Sequence, residues 1–185
     1  MFTIHPTVLP GLVSLSPKVF TDDRGTFVKT FHNSMFRELG LPFEAREEFF
    51  SISHRHVLRG LHFQVPPADH VKIVYCLAGA VLDVVVDLRR QSPTRGRFHV
   101  GELSAATRRI LYIPTGLAHG FLTLTDDALM VYNTSTVYDP ACDQGIRWGS
   151  IGFLTPWAGR PRFFPARCRI PRRATFGLVP AHPQV

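Results

Sequence analysis

The chain has little cysteine, little helical periodicity and no long apolar run. Its three cysteines, Cys76, Cys142 and Cys168, are odd in number, and their spacing fits no zinc or redox motif. That argues against a disulfide framework and for a reduced, cytoplasmic protein. No apolar stretch is long enough to span a bilayer, so no membrane partner is expected. The start, Met1-Phe2-Thr3-Ile4-His5-Pro6, has no charged segment leading into an apolar one, so no secretory signal is expected. A glycine-rich phosphate loop is absent, which excludes a P-loop nucleotide hydrolase, and so is a Gly-x-Ser-x-Gly elbow. There is no internal repeat and no low-complexity linker.

What is present is a strand-rich pattern. The 185 residues, 45% of them hydrophobic, suit one domain over 1–185 with a real core. Val71–Leu77 and Val81–Leu88 flank Ala78-Gly79-Ala80 and read as a hairpin. Further strands are expected over Phe98–Leu103, Arg109–Ile113, Gly120–Leu124 and Leu129–Val137. Ser92-Pro93-Thr94-Arg95-Gly96 and Thr125-Asp126-Asp127 carry turn chemistry. The one good helix candidate is short: Asn33 or Ser34 as cap, a body to Leu39, Gly40 as terminator and Pro42 just beyond. Many short strands punctuated by Gly and Pro predict an all-β antiparallel sandwich or barrel with one or two short helices. Residues 155–185, rich in Pro and Arg, read as an irregular tail laid over the body and frayed after Arg173.

Basic residues outnumber acidic ones, for a net charge of +7. The arginines are scattered and not interleaved with aromatics, so no nucleic-acid partner is expected. A phosphorylated small substrate accounts for the excess, as does a merely basic surface.

Several ionisable groups fall inside apolar strands. His62 ends the stretch Val57-Leu58-Arg59-Gly60-Leu61-His62-Phe63-Gln64, as a base or as a core histidine satisfied by a carbonyl. Lys72, between Val71 and Ile73, faces either solvent or a pocket, where it would stabilise an enolate oxygen. Tyr132 is core packing or a proton donor whose pKa a nearby cation lowers. Asp83 and Asp87 share one strand face with Val85, and a carboxylate buried there needs a partner. His119 is the expected partner of Asp83. Arg24 and Arg59 are forks suited to phosphate, or surface charges.

Pro114-x-Gly116-x-x-His119 resembles the second motif of the cupins. A metal cupin also needs a paired His-x-His and a Glu. Here Phe63-Gln64 follows His62, and Lys72 stands where the acid would fall. An ammonium repels a divalent cation, so no metal and no cofactor are expected.

Taken together, Asp23-Arg24-Gly25-x-Phe27, the Val57–Gln64 stretch, Asp83-Val84-Val85-Val86-Asp87-Leu88-Arg89, Ser92-Pro93-Thr94 and Ile113-Pro114-x-Gly116-x-Ala118-His119-Gly120-Phe121 resemble the dTDP-4-dehydrorhamnose 3,5-epimerases across about residues 20–150. The resemblance implies a metal-free, cupin-type jelly roll acting as a homodimer on a nucleotide-diphosphate 4-keto-6-deoxyhexose. It implies that His62 removes the proton at carbon 3 or 5, Lys72 stabilises the enolate and Tyr132 returns a proton on the opposite face. It implies substrate contacts from Arg24, Phe27, Glu47, Ser51, Arg59, His119, Asp143 and Arg167, with Asp83 in support. Four positions depart from the family pattern. Cys168 stands where an acid pairs with the catalytic histidine, and a thiol does not orient an imidazole as a carboxylate does. Glu47 and Phe49 replace Gln and Asn, and Lys29 replaces an acid. Either Glu47, Glu48 or another acid stands in for the missing one, or His62 is a weaker base. A carboxylate at Glu47 would repel a diphosphate nearby. Three alternatives stay open: a single-site C3 or C5 epimerase, an enzyme for another nucleotide-linked sugar, and a non-catalytic cupin that binds one.

Overall fold

The computed structural model describes residues 1–148 and the backbone of a strand at Leu178–Pro180. The strands are β1 (Phe2–Pro6), β2 (Val13–Pro17), β3 (Val19–Asp22), β4 (Gly25–Val28), β5 (Glu47–Ser53), β6 (Leu58–Gln64), β7 (Lys72–Ala78), β8 (Ala80–Asp87), β9 (Phe98–Ser104), β10 (Ile110–Ile113), β11 (Leu117–Thr123), β12 (Ala128–Thr134), β13 (Asp143–Ile146) and β14 (Leu178–Pro180). One short helix, α1 (Asn33–Glu38), follows the β3–β4 hairpin. Among the described residues, two six-stranded sheets form, in the orders β1-β2-β10-β7-β12-β5 and β14-β13-β6-β11-β8-β9. All pairings are antiparallel. This is the expected jelly roll.

Alternation along the strands sorts the side chains into layers. Val74, Cys76, Met130 and Tyr132 of the first sheet meet Val81, Val85, Leu117 and Phe121 of the second in the central core. The first sheet's outer face, with Ile73, Ile110 and Tyr112, is covered by Phe36, Leu41 and Phe43 from α1 and the segment after it. The second sheet's outer face packs Leu61, Val84, Val86, Ala118, Ile146 and Trp148.

Three expectations need correction. Strands β7 and β8 do not form a hairpin: β7 pairs with β10 and β12, and β8 with β11 and β9. Gly79, with φ at +70°, turns the chain from one sheet into the other, and a Cβ there would collide with Thr125 Oγ1. The helix is entered through His32 without a side-chain cap, instead of through Asn33 or Ser34. Gly40 ends it as expected: its N–H bonds the Arg37 carbonyl at 3.0 Å, and Leu41 N–H bonds the Phe36 carbonyl at 2.8 Å. Finally, the chain beyond Arg173 is not wholly irregular, because Leu178–Pro180 pairs with Gln144–Ile146 at the edge of the second sheet.

Candidate active site

Strands β6 and β11 approach each other unusually closely. Gly60 has φ at +84°, and a Cβ on it would strike the His119 carbonyl oxygen and lie 2.7 Å from Gly120 Cα. A Cβ on Gly120 would lie 2.8 Å from the Trp148 ring. The indole Nε1–H donates to the Gly60 carbonyl at 2.6 Å, and the β6–β11 register shifts between His119 and Phe121. Only glycine fits this contact. It sets His62 opposite His119, both on the inner face.

Between the sheets lies an open cleft. Phe49, Ser51 and Tyr132 line it from the first sheet, and Arg59, His62, His119, Gly120 and Phe121 from the second. An imidazole and a phenol therefore enter one cavity from opposite walls. Lys72, buried, lies beside His62 and off the wall, with Nζ 3.4 Å from His62 Nε2. The Lys72 charge, then burial, then the neighbouring His119 and His70 hold His62 well below the usual imidazole pKa. His62 is thus neutral, the form a base requires. Burial lowers Lys72 from 10.5 to about 8, and Asp143 opposes that shift. Burial raises Asp143, and Lys72 pulls it back.

Tyr132 is the inner residue of β12 facing Phe49, with ring centroids 4.7 Å apart and planes within 13°. Its Oη lies 3.1 Å from Ser51 Oγ. The expected lowering of its pKa is reversed: burial raises it, and the Ser51 hydrogen bond and the Arg59 charge only partly offset that. Desolvation outweighs the cation, so the phenol keeps its proton.

The expected Asp83–His119 pair is present, His119 Nε2 lying 2.7 Å from Asp83 Oδ2 with both side chains buried. Arg59 lines the cleft, and its Nε donates to Ser53 Oγ at 2.8 Å. Asp87 serves the fold: burial alone would raise its carboxyl, but bonds from Arg89, Ser92 and Thr94 outweigh that and hold it low.

Other expected contacts lie elsewhere. Arg24 is exposed on the β3–β4 turn and pairs with Asp22 at 2.7 Å, and Phe27 is exposed beside Phe20. Neither is on the cleft wall, and neither is Lys29, which is exposed. Glu47 accepts the Tyr138 N–H at 2.7 Å, and Glu48 is exposed, so neither stands in for an acid beside His62. Arg167 and Cys168 lie outside the described residues. Among the described residues, no three His, Cys, Asp or Glu side chains converge to hold a metal ion.

Sequence reasoning gave no role to Gln64 or His70. Gln64 Nε2 donates to the Ala68 carbonyl at 2.7 Å and lies 3.1 Å from His70 Nδ1, and its Oε1 accepts the Asp139 N–H at 2.6 Å. It thus ties together two loops beside Lys72. Period-2 alternation from His62 would have turned Gln64 inward. Nothing local marks His70, which burial and then Lys72 lower to about 3.

The family model described as dTDP-4-dehydrorhamnose 3,5-epimerase matches residues 6–169. The chain belongs to the dTDP-4-dehydrorhamnose 3,5-epimerase family. It is 41% identical over 152 residues to the enzyme of that name from Shigella flexneri, covering 82% of this chain and 84% of the relative. The Legionella pneumophila dTDP-6-deoxy-D-glucose-3,5-epimerase, solved with dTDP-4-keto-L-rhamnose, superposes with a TM-score of 0.81 at 34% identity, over 85% and 84% of the two chains. A 3'-monoepimerase from Streptomyces bikiniensis, solved with dTDP-quinovose, also gives 0.81, at 35% identity over 87% and 83%. The epimerase family thus includes two-site and single-site members similar to this chain. Phe49, where the resemblance implies Asn, lines the cleft wall and stacks on Tyr132.

Proposed function

We propose that this isomerase epimerises carbon 3, carbon 5 or both of dTDP-4-keto-6-deoxyglucose or a close nucleotide-linked relative, without a metal. The observation that carries this reading is the two-walled cleft. Neutral His62 projects from one sheet and protonated Tyr132 from the other. Inversion at carbon needs that division: one group removes a proton from one face, and a different group supplies one to the other.

The carbonyl beside the reacting carbon makes its C–H acidic. His62 takes the proton, and the C–H electrons move to the keto oxygen. Positive charge from buried Lys72, beside His62, stabilises the enolate oxygen. Tyr132 Oη–H then gives its proton to the opposite face and the enolate returns to a ketone; the His62 imidazolium releases its proton to solvent, and solvent reprotonates the phenolate. Arg59 grips the diphosphate, with Asp83 orienting His119 at the same wall. Asp143 supports Lys72 from behind.

The same reading includes a cytoplasmic homodimer. The outer face of edge strand β5 exposes Phe50 and Ile52, and the β3–β4 hairpin exposes Phe20 and Phe27. A second copy is the occupant this apolar surface fits. Arg24 and Phe27, outside their own cleft, then serve the partner's.

The test is incubation with dTDP-4-keto-6-deoxyglucose in heavy water. Wild-type protein takes up one deuteron if one carbon reacts and two if both do, and His62→Asn takes up none. Exchange at the wild-type rate in His62→Asn would overturn the assignment of the base.

A further inference from the structure

The proposed chemistry gives Phe49 no role, yet among the described residues no ring is placed closer to Tyr132. The two residues pair directly across β5 and β12, and their rings stack nearly parallel at 4.7 Å. Ser51 lies two residues further along β5 on the same inward face and meets the Tyr132 Oη at 3.1 Å. The His119 ring stands edge-on to Tyr132 at 6.4 Å. Phe49 thus sets the plane of the phenol, and Ser51 sets the direction of its hydroxyl. Phe49 is itself anchored, because it packs on the central core.

A proton donor held in this way matters at one step. Once His62 has removed the proton, the enolate has two fates. The imidazolium can return a proton to the original face, which restores the starting configuration. Alternatively, Tyr132 can protonate the opposite face, which inverts the centre. The balance depends on how well the phenol is aimed while the enolate exists, and small misplacements weigh heavily in such steps.

We propose that Phe49 is a positioning residue for Tyr132, which holds the phenol so that the enolate is protonated on the face opposite His62. This deepens the epimerase reading and rests on it. It predicts that losing the Phe49 ring impairs inversion far more than proton abstraction. A purely structural role would lower both together.

The experiment uses the full chain in heavy water with dTDP-4-keto-6-deoxyglucose. At carbon 3 and carbon 5 separately, NMR reads deuterium in recovered substrate of unchanged configuration against deuterium in inverted product. His62 is only half-buried, so its imidazolium exchanges with solvent and base-face return carries label. For Phe49→Ala at saturating substrate, the expected result is a ratio of inverted to retained label lower by about tenfold, inversion falling far more than total exchange. Phe49→Leu, which keeps apolar bulk in case the alanine variant folds poorly, shows the same change in ratio. Phe49→Tyr, which keeps the ring, restores the wild-type ratio. An unchanged ratio in Phe49→Leu, or exchange and inversion falling in parallel, overturns the proposal while the epimerase reading stands. No exchange by the wild-type protein removes that reading and this proposal with it.

Discussion

Replacing Lys72 with Met should make the protein more stable and less active, and the two effects should respond to pH in a defined way. Lys72 is buried, and its pKa falls from 10.5 to about 8. That fall corresponds to about 3 kcal/mol disfavouring the ammonium in the folded state. Between pH 8 and 10.5 the unfolded chain holds the proton and the folded one has released it, so wild-type stability rises with pH across that window. Below about pH 8 both states are protonated, and the whole penalty is present. Methionine keeps the length of the stem and removes the charge. Asp143, already raised by burial, loses the opposing pull of Lys72 and moves further up, which lessens the cost of losing its cationic neighbour. At pH 7 the Lys72→Met variant should therefore melt about 6–12 °C above wild type, with the gap closing towards pH 10.5. Epimerisation should be abolished in the variant, while wild-type activity falls above about pH 8 as its stability climbs. The assay is thermal unfolding of both proteins from pH 6.5 to 10, with deuterium exchange run in parallel. A variant that melts lower at pH 7, or a gap that does not change with pH, refutes the assignment of a strained buried ammonium.

Two further substitutions test the frame around the site. Asp83→Leu leaves buried His119 without its 2.7 Å partner and should cost about 1–3 kcal/mol, read by urea unfolding; unchanged stability would mean the pair is dispensable. Gly60→Ala should lose stability and exchange activity together, because its Cβ strikes the His119 carbonyl. Gly40→Ala, equally left-handed but with nothing within 4 Å, should cost only about 1–2 kcal/mol and spare activity; equal losses in the two variants would dismiss the close approach of β6 and β11 as a determinant of the site.

How far the sequence could be read depended on how local each signal was. Asp83 and His119 were legible as a pair because a carboxylate on an apolar strand face needs a partner. His62 and Lys72 stood out as ionisable groups in apolar strands, and they lie side by side. Ala78-Gly79-Ala80 was misread because a turn signal marks a reversal without saying whether the chain stays in its sheet. The sign of the Tyr132 shift was missed because it depends on solvent exclusion by both sheets, which no single strand encodes. Glu47 looked like a liability for a diphosphate. Its actual use, accepting the Tyr138 N–H, depends on a segment 91 residues away in the chain.

His62 and Tyr132 stand on different sheets, and among the described residues no hydrogen-bonded ladder joins β6 to β12. Their separation is set by what fills the space between the layers, typically about 10 Å in such sandwiches. Phe121 belongs both to that filling and to the cleft wall. The working distance of the proposed catalytic pair is therefore encoded in side-chain volumes, not in backbone geometry. A change of one methylene group deep in the core, far from any substrate atom, adjusts the width of the site as a shim adjusts a vice.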